Sequence, residues 1–266
     1  MLHIMKGIDV SHWQGTINWS KVADDKIEYA IIKCSESVGW KDSMFEQNKA
    51  QARKAGVLCG YYHFARGTDA KKEAQWFLDS VGDIKKGEMI ALDYEIKTLS
   101  DPAKWCREWL DYVEKKVGFK PLLYTYHSFL KTYDWTEVSS GNFGLWAARY
   151  GLQQQKPNSL FKPATGSWQF WAIWQYCSKG KVDGVTGNCD LNTTEMDMDT
   201  LMKYGKQKDT PVPSDCKECE EALGKCKKAL EEEQEHSARL NNKIVVLNGI
   251  IDGKDKQISE AIKVLQ

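Results

Sequence analysis

Short apolar runs recur through the first two thirds of the chain, most of them closed by a polar, charged or aromatic residue. They are Lys6-Gly7-Ile8-Asp9-Val10-Ser11, Tyr29-Ala30-Ile31-Ile32-Lys33-Cys34, Val57 to Phe64, Met89 to Ile96, Pro121 to Tyr126, Leu145 to Tyr150 and Ala172 to Tyr176. Runs of this length without alternation predict strands buried on both faces, the pattern of a parallel sheet. Between them the apolar spacing changes to three and four. Phe45 to Ala55 carries a helical period that Gly56 stops, and Asp69 caps a helix whose Ala70, Ala74, Phe77, Leu78 and Val81 form one stripe. Ser100-Asp101-Pro102 starts another helix, which runs through Trp105, Trp109, Tyr112 and Val113 to Gly118. Strand and helix alternate, so the expected fold class is α/β, an irregular TIM-like (β/α) barrel whose helical turns grow less distinct after Tyr126.

After residue 204 the pattern changes twice. Gly205-Lys206-Gln207-Lys208-Asp209-Thr210-Pro211-Val212-Pro213-Ser214 is polar and proline-containing, which predicts a linker over 205–214. From there Cys216, Cys219, Leu223, Cys226, Leu230, Glu233, Ser237, Leu240, Ile244, Leu247, Ile251, Lys254, Ile258, Ala261 and Leu265 follow steps of three and four, the seam of a coiled coil over 215–266. Ile at one seam position and Leu at the other favour a parallel homodimer, while Gly249 and Gly253 weaken the helix; the alternative is one amphipathic helix folded back on the barrel. Cys216, Cys219 and Cys226 offer too few ligands for zinc and suit cross-links along the seam. The expected organisation is a catalytic barrel over 1–204, the linker, and an oligomerisation helix.

Charge narrows the partners. Lysine plus arginine equals aspartate plus glutamate at 37 each, so no global field recruits nucleic acid or an anionic membrane. No segment is long and apolar enough to span a bilayer, and Met1 to Lys6 lacks the form of a secretory signal, so synthesis in the cytosol without a signal peptide is expected. Eleven tryptophans and eleven tyrosines are an excess of flat rings able to stack on sugars. Cys34, Cys59, Cys106, Cys177 and Cys189 are scattered without the spacing of a disulfide framework and are expected to be packing residues.

The chemistry gathers at strand ends. Asp93 and Glu95 close the run Met89 to Ile96, and on one strand they would share a face about 7 Å apart. Two carboxyls in one partly dry cleft cannot both ionise easily, so one keeps a proton near neutral pH while the other stays anionic, the equipment of glycoside hydrolysis. Asp9 likewise ends a strand, and Lys33, Glu36, Tyr62, Tyr124, Trp146 and Gln175 would line the same C-terminal mouth. His12 and His63 have no carboxylate or cysteine at helical metal spacing, so no metal is expected, and His63 is expected to be a buried, hydrogen-bonded histidine. No cofactor is expected either, since Gly180 to Gly187 lacks the ending of a phosphate loop.

Gly7-Ile8-Asp9-Val10-Ser11 with Trp13-Gln14-Gly15, then Gly60-Tyr61-Tyr62-His63-Phe64, Leu92-Asp93-Tyr94-Glu95, Trp174-Gln175-Tyr176 and Gly187-Asn188-Cys189-Asp190-Leu191-Asn192 together resemble the family 25 glycoside hydrolases over residues 5–204. These are lysozymes of the N-acetylmuramidase type, many of them phage endolysins. The resemblance implies an irregular α/β barrel that cleaves, with retention, the β-1,4 bond between N-acetylmuramic acid and N-acetylglucosamine in peptidoglycan. It also implies action on the wall after membrane permeabilisation. The family's acidic positions fall on Asp9, Asp93, Glu95 and Asp190. By their chemistry Glu95 is the general acid and base, Asp93 its anionic neighbour, and Asp9 and Asp190 supports that hold charge and sugar. Either an enzyme carboxylate or the substrate's N-acetyl group is the nucleophile. Tyr62, Tyr124, Trp146 and Trp174 are expected sugar platforms, with Lys33 and Gln175 as polar binding groups. The rivals are a binding protein with catalysis lost on the same barrel, and cleavage on the other side of N-acetylglucosamine or of chitin.

Overall fold

Seven of the strands run parallel, and the one that closes the barrel does not. In chain order they are β1 (Met5–Val10), β2 (Tyr29–Glu36), the two-residue β3 (Trp40–Lys41), β4 (Leu58–Phe64), β5 (Met89–Asp93), β6 (Leu122–Tyr126), β7 (Gly144–Ala148), β8 (Ile173–Gly180) and β9 (Cys189–Thr194). The sheet order is β1-β9-β8-β7-β6-β5-β4-β2-β3, and β1 also pairs with β2, so eight strands form a closed barrel and β3 hangs on its outside. The β9 strand runs antiparallel to both neighbours. Its alternating sequence lacks the continuous apolar run that marks the parallel strands. Residues 181–188 are too few for the crossover that a parallel neighbour of β8 would need, so the chain turns straight back. The expectation of an all-parallel sheet is corrected at that strand.

These coordinates are a computed structural model that describes residues 4–152, 155–207 and Arg239. The chain divides into two units, Met1–Asp209 and Thr210–Gln266. The linker beyond Gln207 and the heptad seam from Cys216 to Leu265, with Gly249 and Gly253, lie outside the described residues.

Helices cover the barrel most fully in its first half: α1 (Trp19–Asp24), α2 (Phe45–Lys54), α3 (Ala70–Val81) and α4 (Pro102–Val117). Asp69 and Asp101 cap α3 and α4 by accepting from the Lys72 and Lys104 N–H groups, and Gly118 ends α4 in the left-handed conformation. After Tyr126 the helices shorten to α5 (His127–Thr132), α6 (Thr136–Ser139) and α7 (Met198–Leu201), the irregular second half that the sequence predicts. Among the described residues no helix is long and apolar enough to cross a membrane.

Strand alternation sorts the core into two sets. Ile8, Ile32, Tyr61, Leu92, Leu123, Leu145 and Trp174 belong to the larger cluster with the helices, which also holds the five buried free thiols of Cys34, Cys59, Cys106, Cys177 and Cys189. Tyr29, Ile31, Tyr62, Ala91, Leu122, Tyr124 and Trp146 form the second cluster and fill the barrel interior. Gly7 is required there, because a Cβ at that position would run into the Tyr29 ring. His63 is fully buried between Ser35 Oγ on Nδ1 (2.9 Å) and Glu73 Oε2 on Nε2 (3.0 Å), and the same Glu73 accepts from the Arg66 and Thr68 N–H groups of the loop after β4. Burial pushes the His63 pKa down, so the ring is a neutral strut, as its sequence context predicts.

Candidate active site

The interior opens at the C-terminal end of the parallel strands into a cavity of about 230 Å3. Its lining brings together Asp9 from β1, Lys33 from β2, Tyr62 from β4, Asp93 at the end of β5, Glu95 just beyond it, Tyr124 from β6, Trp146 from β7, Gln175 from β8 and Asp190 from β9. Alternation puts these side chains on the inner face, and parallel strands deliver their ends to one rim. Trp174 is not among them. It sits one residue before Gln175, so its ring turns outward into the helix-side core and its Nε1 donates to the Arg149 carbonyl at 3.0 Å. Glu36 does not line the cavity but accepts from Lys33 Nζ at 2.7 Å and from Arg66 Nε at 2.7 Å, holding the ammonium in place.

The predicted geometry of the carboxylate pair needs revision. The β5 strand ends at Asp93, whose carbonyl accepts from the Ala65 N–H, and the Tyr94 N–H donates to the Tyr124 carbonyl. Glu95 therefore hangs from the segment past the strand, and its carboxyl lines the same cavity as that of Asp93, close enough for the two to titrate together. Burial first, then the Glu95 charge, raise Asp93 well above the ordinary carboxylate range. Burial raises Glu95 too, while the hydrogen bond from Asp93 and the Lys33 ammonium pull it back. Both carboxyls are held above the ordinary range, so the surroundings do not favour the anionic Asp93 that the sequence predicts, and the two titrate as a coupled pair.

Asp9 and Asp190 face each other across the β1–β9 ladder. Burial pushes Asp9 to about 6 against the lowering effect of hydrogen bonds from Gln175 and Asn192. Asp190 rises from the ordinary 3.8 to about 8 through burial and the charges of Asp9 and Glu95. Between those two pH values folded Asp190 holds a proton that the unfolded chain has lost, so its contribution to stability falls as pH climbs. Asp190→Asn is accordingly expected to melt above the parent at about pH 9 and level with it at about pH 4, as a thermal scan at the two values will show.

The predicted stacking rings are also redistributed. Tyr62, Tyr124 and Trp146 pack on one another, with Tyr124–Trp146 centroids 4.5 Å apart and Tyr62–Trp146 6.2 Å apart, and are almost wholly buried. They form the floor. The exposed rings at the opening are Trp13, 81% accessible, and Tyr150, 42% accessible. Trp13 rides on the 3-10 turn His12–Gln14, which is shaped by the Ser11 Oγ and Gln14 Oε1 caps, and His12 is tied to Asp42 at 2.7 Å. Neither ring is among the platforms that the sequence predicts. Trp13 lies in the motif Trp13-Gln14-Gly15, and Tyr150 stands two residues past the strand, which ends at Ala148 and not at the predicted Tyr150.

Comparisons with known proteins fit this architecture. The family described as Glycosyl hydrolases family 25 matches residues 8–185. Lysozyme M1 of Streptomyces globisporus is 31% identical over an alignment covering 71% of this chain and 67% of its own. The crystal structure of the bacterial lysozyme from Streptomyces coelicolor superposes with a TM-score of 0.66 at 27% identity, covering 76% of this chain and 97% of that one. The catalytic domain of an endolysin from bacteriophage P40 of Listeria monocytogenes gives a TM-score of 0.63 at 25% identity, covering 77% and 100%. With a carboxyl cluster at the mouth of such a barrel and a family match over most of that barrel, this chain belongs to the family 25 glycosyl hydrolases.

Proposed function

We propose that the chain is a lysozyme that cleaves the β-1,4 bond between N-acetylmuramic acid and N-acetylglucosamine in peptidoglycan, with Glu95 as general acid and base and Asp93 assisting it. The observation that carries the reading is the adjacent Asp93–Glu95 pair at the open end of the barrel, two coupled carboxyls raised above their ordinary range and so able to hold a proton. Glu95 is the less enclosed of the two and delivers that proton to the glycosidic oxygen as the C1–O bond breaks. A retaining acid and its carboxylate nucleophile ordinarily stand about 5–5.5 Å apart, on opposite sides of the bond. Asp93 and Glu95 instead enter the cavity side by side from one strand end, so in this reading Asp93 assists and does not attack. The substrate's N-acetyl oxygen closes on C1 instead, and Asp93 orients the acetamide and balances its developing positive charge. Water then opens the ring from the face the leaving sugar vacated, losing its proton to Glu95, and the configuration at C1 is retained. Asp9 and Asp190 hold the sugar at the far side of the cavity, Asp190 with its proton at neutral pH, and Trp13 and Tyr150 offer stacking faces at its opening.

The wall is the site of action in this reading, reached once the membrane has been permeabilised. The heptad seam from Cys216 to Leu265 supports a homodimer with two active sites on one polymer, which would raise avidity. The test of the bond is chemical. Digestion of purified peptidoglycan followed by borohydride reduction is expected to convert N-acetylmuramic acid, and not N-acetylglucosamine, to its sugar alcohol. Reduced N-acetylglucosamine would move the cut to the other linkage, and no new reducing ends would leave a binding protein on the same barrel.

A further inference from the structure

Behind the acid pair lies a second polar assembly, which the cleavage chemistry above does not use. Tyr150 and Tyr124 both donate their hydroxyls to Gln175 Oε1, at 2.6 and 2.8 Å. An amide whose oxygen takes two O–H donors has its orientation fixed, so its NH2 must face the other way, and Gln175 Nε2 donates to Asp9 Oδ2 at 2.7 Å. Asn192 is fixed in the same manner. Its Oδ1 accepts from Trp146 Nε1 at 2.8 Å, and its Nδ2 donates to the same Asp9 oxygen at 2.7 Å. Two N–H donors thus converge on Oδ2, and both of these hydrogen bonds to Asp9 spare Oδ1 on a residue that lines the cavity. Amide NH2 groups bond more strongly to a carboxylate than to a carboxylic acid, so the assembly opposes the protonation that burial alone would force on Asp9.

We infer that Tyr150 is a positioning residue for the hydrolytic reaction: through the Gln175 amide its hydroxyl holds Asp9 as an ionised acceptor whose second oxygen is offered to the bound sugar. Tyr150 is also the exposed member of this chain of bonds, 42% accessible, while Tyr124, Gln175, Asn192 and Trp146 are buried. A sugar that packs on the Tyr150 ring therefore touches the one part of the assembly that solvent can reach, and the rigidity of the clamp passes from there to Asp9. The inference extends the cleavage reading, since an ionised carboxylate beside the reacting sugar stabilises the positive charge that builds at C1. It is independent of whether Glu95 or Asp93 carries the shared proton.

The titratable groups that face Asp9 are Tyr29 and Lys33 of β2, Tyr62 of β4, Asp93 at the end of β5 with Glu95 just past it, Tyr124 of β6, Tyr150 after β7, and Asp190 of β9, while the Cys189 thiol lies on the helix side. The acids among them govern their own limbs of a pH profile, so the clamp must be tested by a change that leaves them in place. Tyr150→Phe keeps the ring and removes only the O–H. Gln175 Oε1 then retains one donor, its amide can turn, and the support to Asp9 weakens. The experiment is kcat/KM against pH on soluble peptidoglycan fragments, with the full chain. For Tyr150→Phe the acid limb is expected to move up by about half to one pH unit, the worth of one hydrogen bond, while the basic limb stays and the melting temperature is unchanged. Gln175→Met removes both amide functions at similar volume and is expected to move the acid limb further in the same direction; should that buried change impair folding, Tyr150→Phe alone decides. An unmoved acid limb in Tyr150→Phe, a shift of both limbs together, or a loss confined to KM would overturn the inference and leave Tyr150 a stacking surface only.

Discussion

Glu95→Gln is expected to lower the turnover of purified peptidoglycan by about 10²–10⁴-fold, the range attributed to a positioned acid, without loss of fold or of binding to the polymer. The side chain leaves β5 just past Asp93 and reaches the cavity at the barrel mouth, where an amide of nearly the same volume fits without repacking. A polar contact with Asp93 stays open to it, because an amide both donates and accepts. What is lost is the transferable proton. Turbidity clearing of purified walls measures the turnover, sedimentation with the same walls measures binding, and a thermal scan checks the fold. Clearing at the parental rate would remove Glu95 from the role of acid, and loss of binding in step with clearing would show that the residue holds substrate and does not transfer a proton.

How much of this was legible from sequence follows from what each signal measures. Continuous apolar runs report burial on both faces, so they located the parallel strands well and missed β9, whose Cys189-Asp190-Leu191-Asn192-Thr193-Thr194 alternates as an antiparallel closing strand does. Acids that terminate such runs were readable as a site, since a barrel of parallel strands gathers its ends, and Asp9 and Asp93 are found there with Glu95 and Asp190. Which aromatic ring faces inward depends on single-residue register, and a run of apolar residues carries none. Once Gln175 is known to point inward, Trp174 must point outward, and so it does. Trp146 was readable as a cavity residue but not as a floor, because burial of a ring depends on packing with Tyr62 and Tyr124 from other strands. Tyr150 was hidden by a strand end placed two residues too late, and the amide clamp on Asp9 was beyond reach, since it joins residues 166 and 183 positions apart. By contrast the role of His63 was legible, because a histidine inside a buried run has to find partners, and Ser35 and Glu73 supply them.

Asp93→Asn separates the idea of a shared proton from that of a lone acid. In the parent chain the pair loses its second proton only well above the ordinary carboxylate range, because an ionised Asp93 would stand buried beside an ionised Glu95. With an amide at that position there is one carboxyl left, the acid beside it is gone, and the amide NH2 and Lys33 both favour the ionised Glu95. The proton then leaves at lower pH. The basic limb of kcat/KM is therefore expected to shift to lower pH, and turnover at neutral pH to fall by about 10²-fold or more, with part of the loss recovered on acidification. The amide also cannot balance positive charge on an attacking acetamide, so the acid plateau is expected to stay below that of the parent chain. This pattern differs from that of Glu95→Gln, which has no proton to deliver at any pH. A basic limb that stays where the parent has it would mean that Asp93 does not share the proton, and the pair would then have to be reassigned as two separate carboxylates.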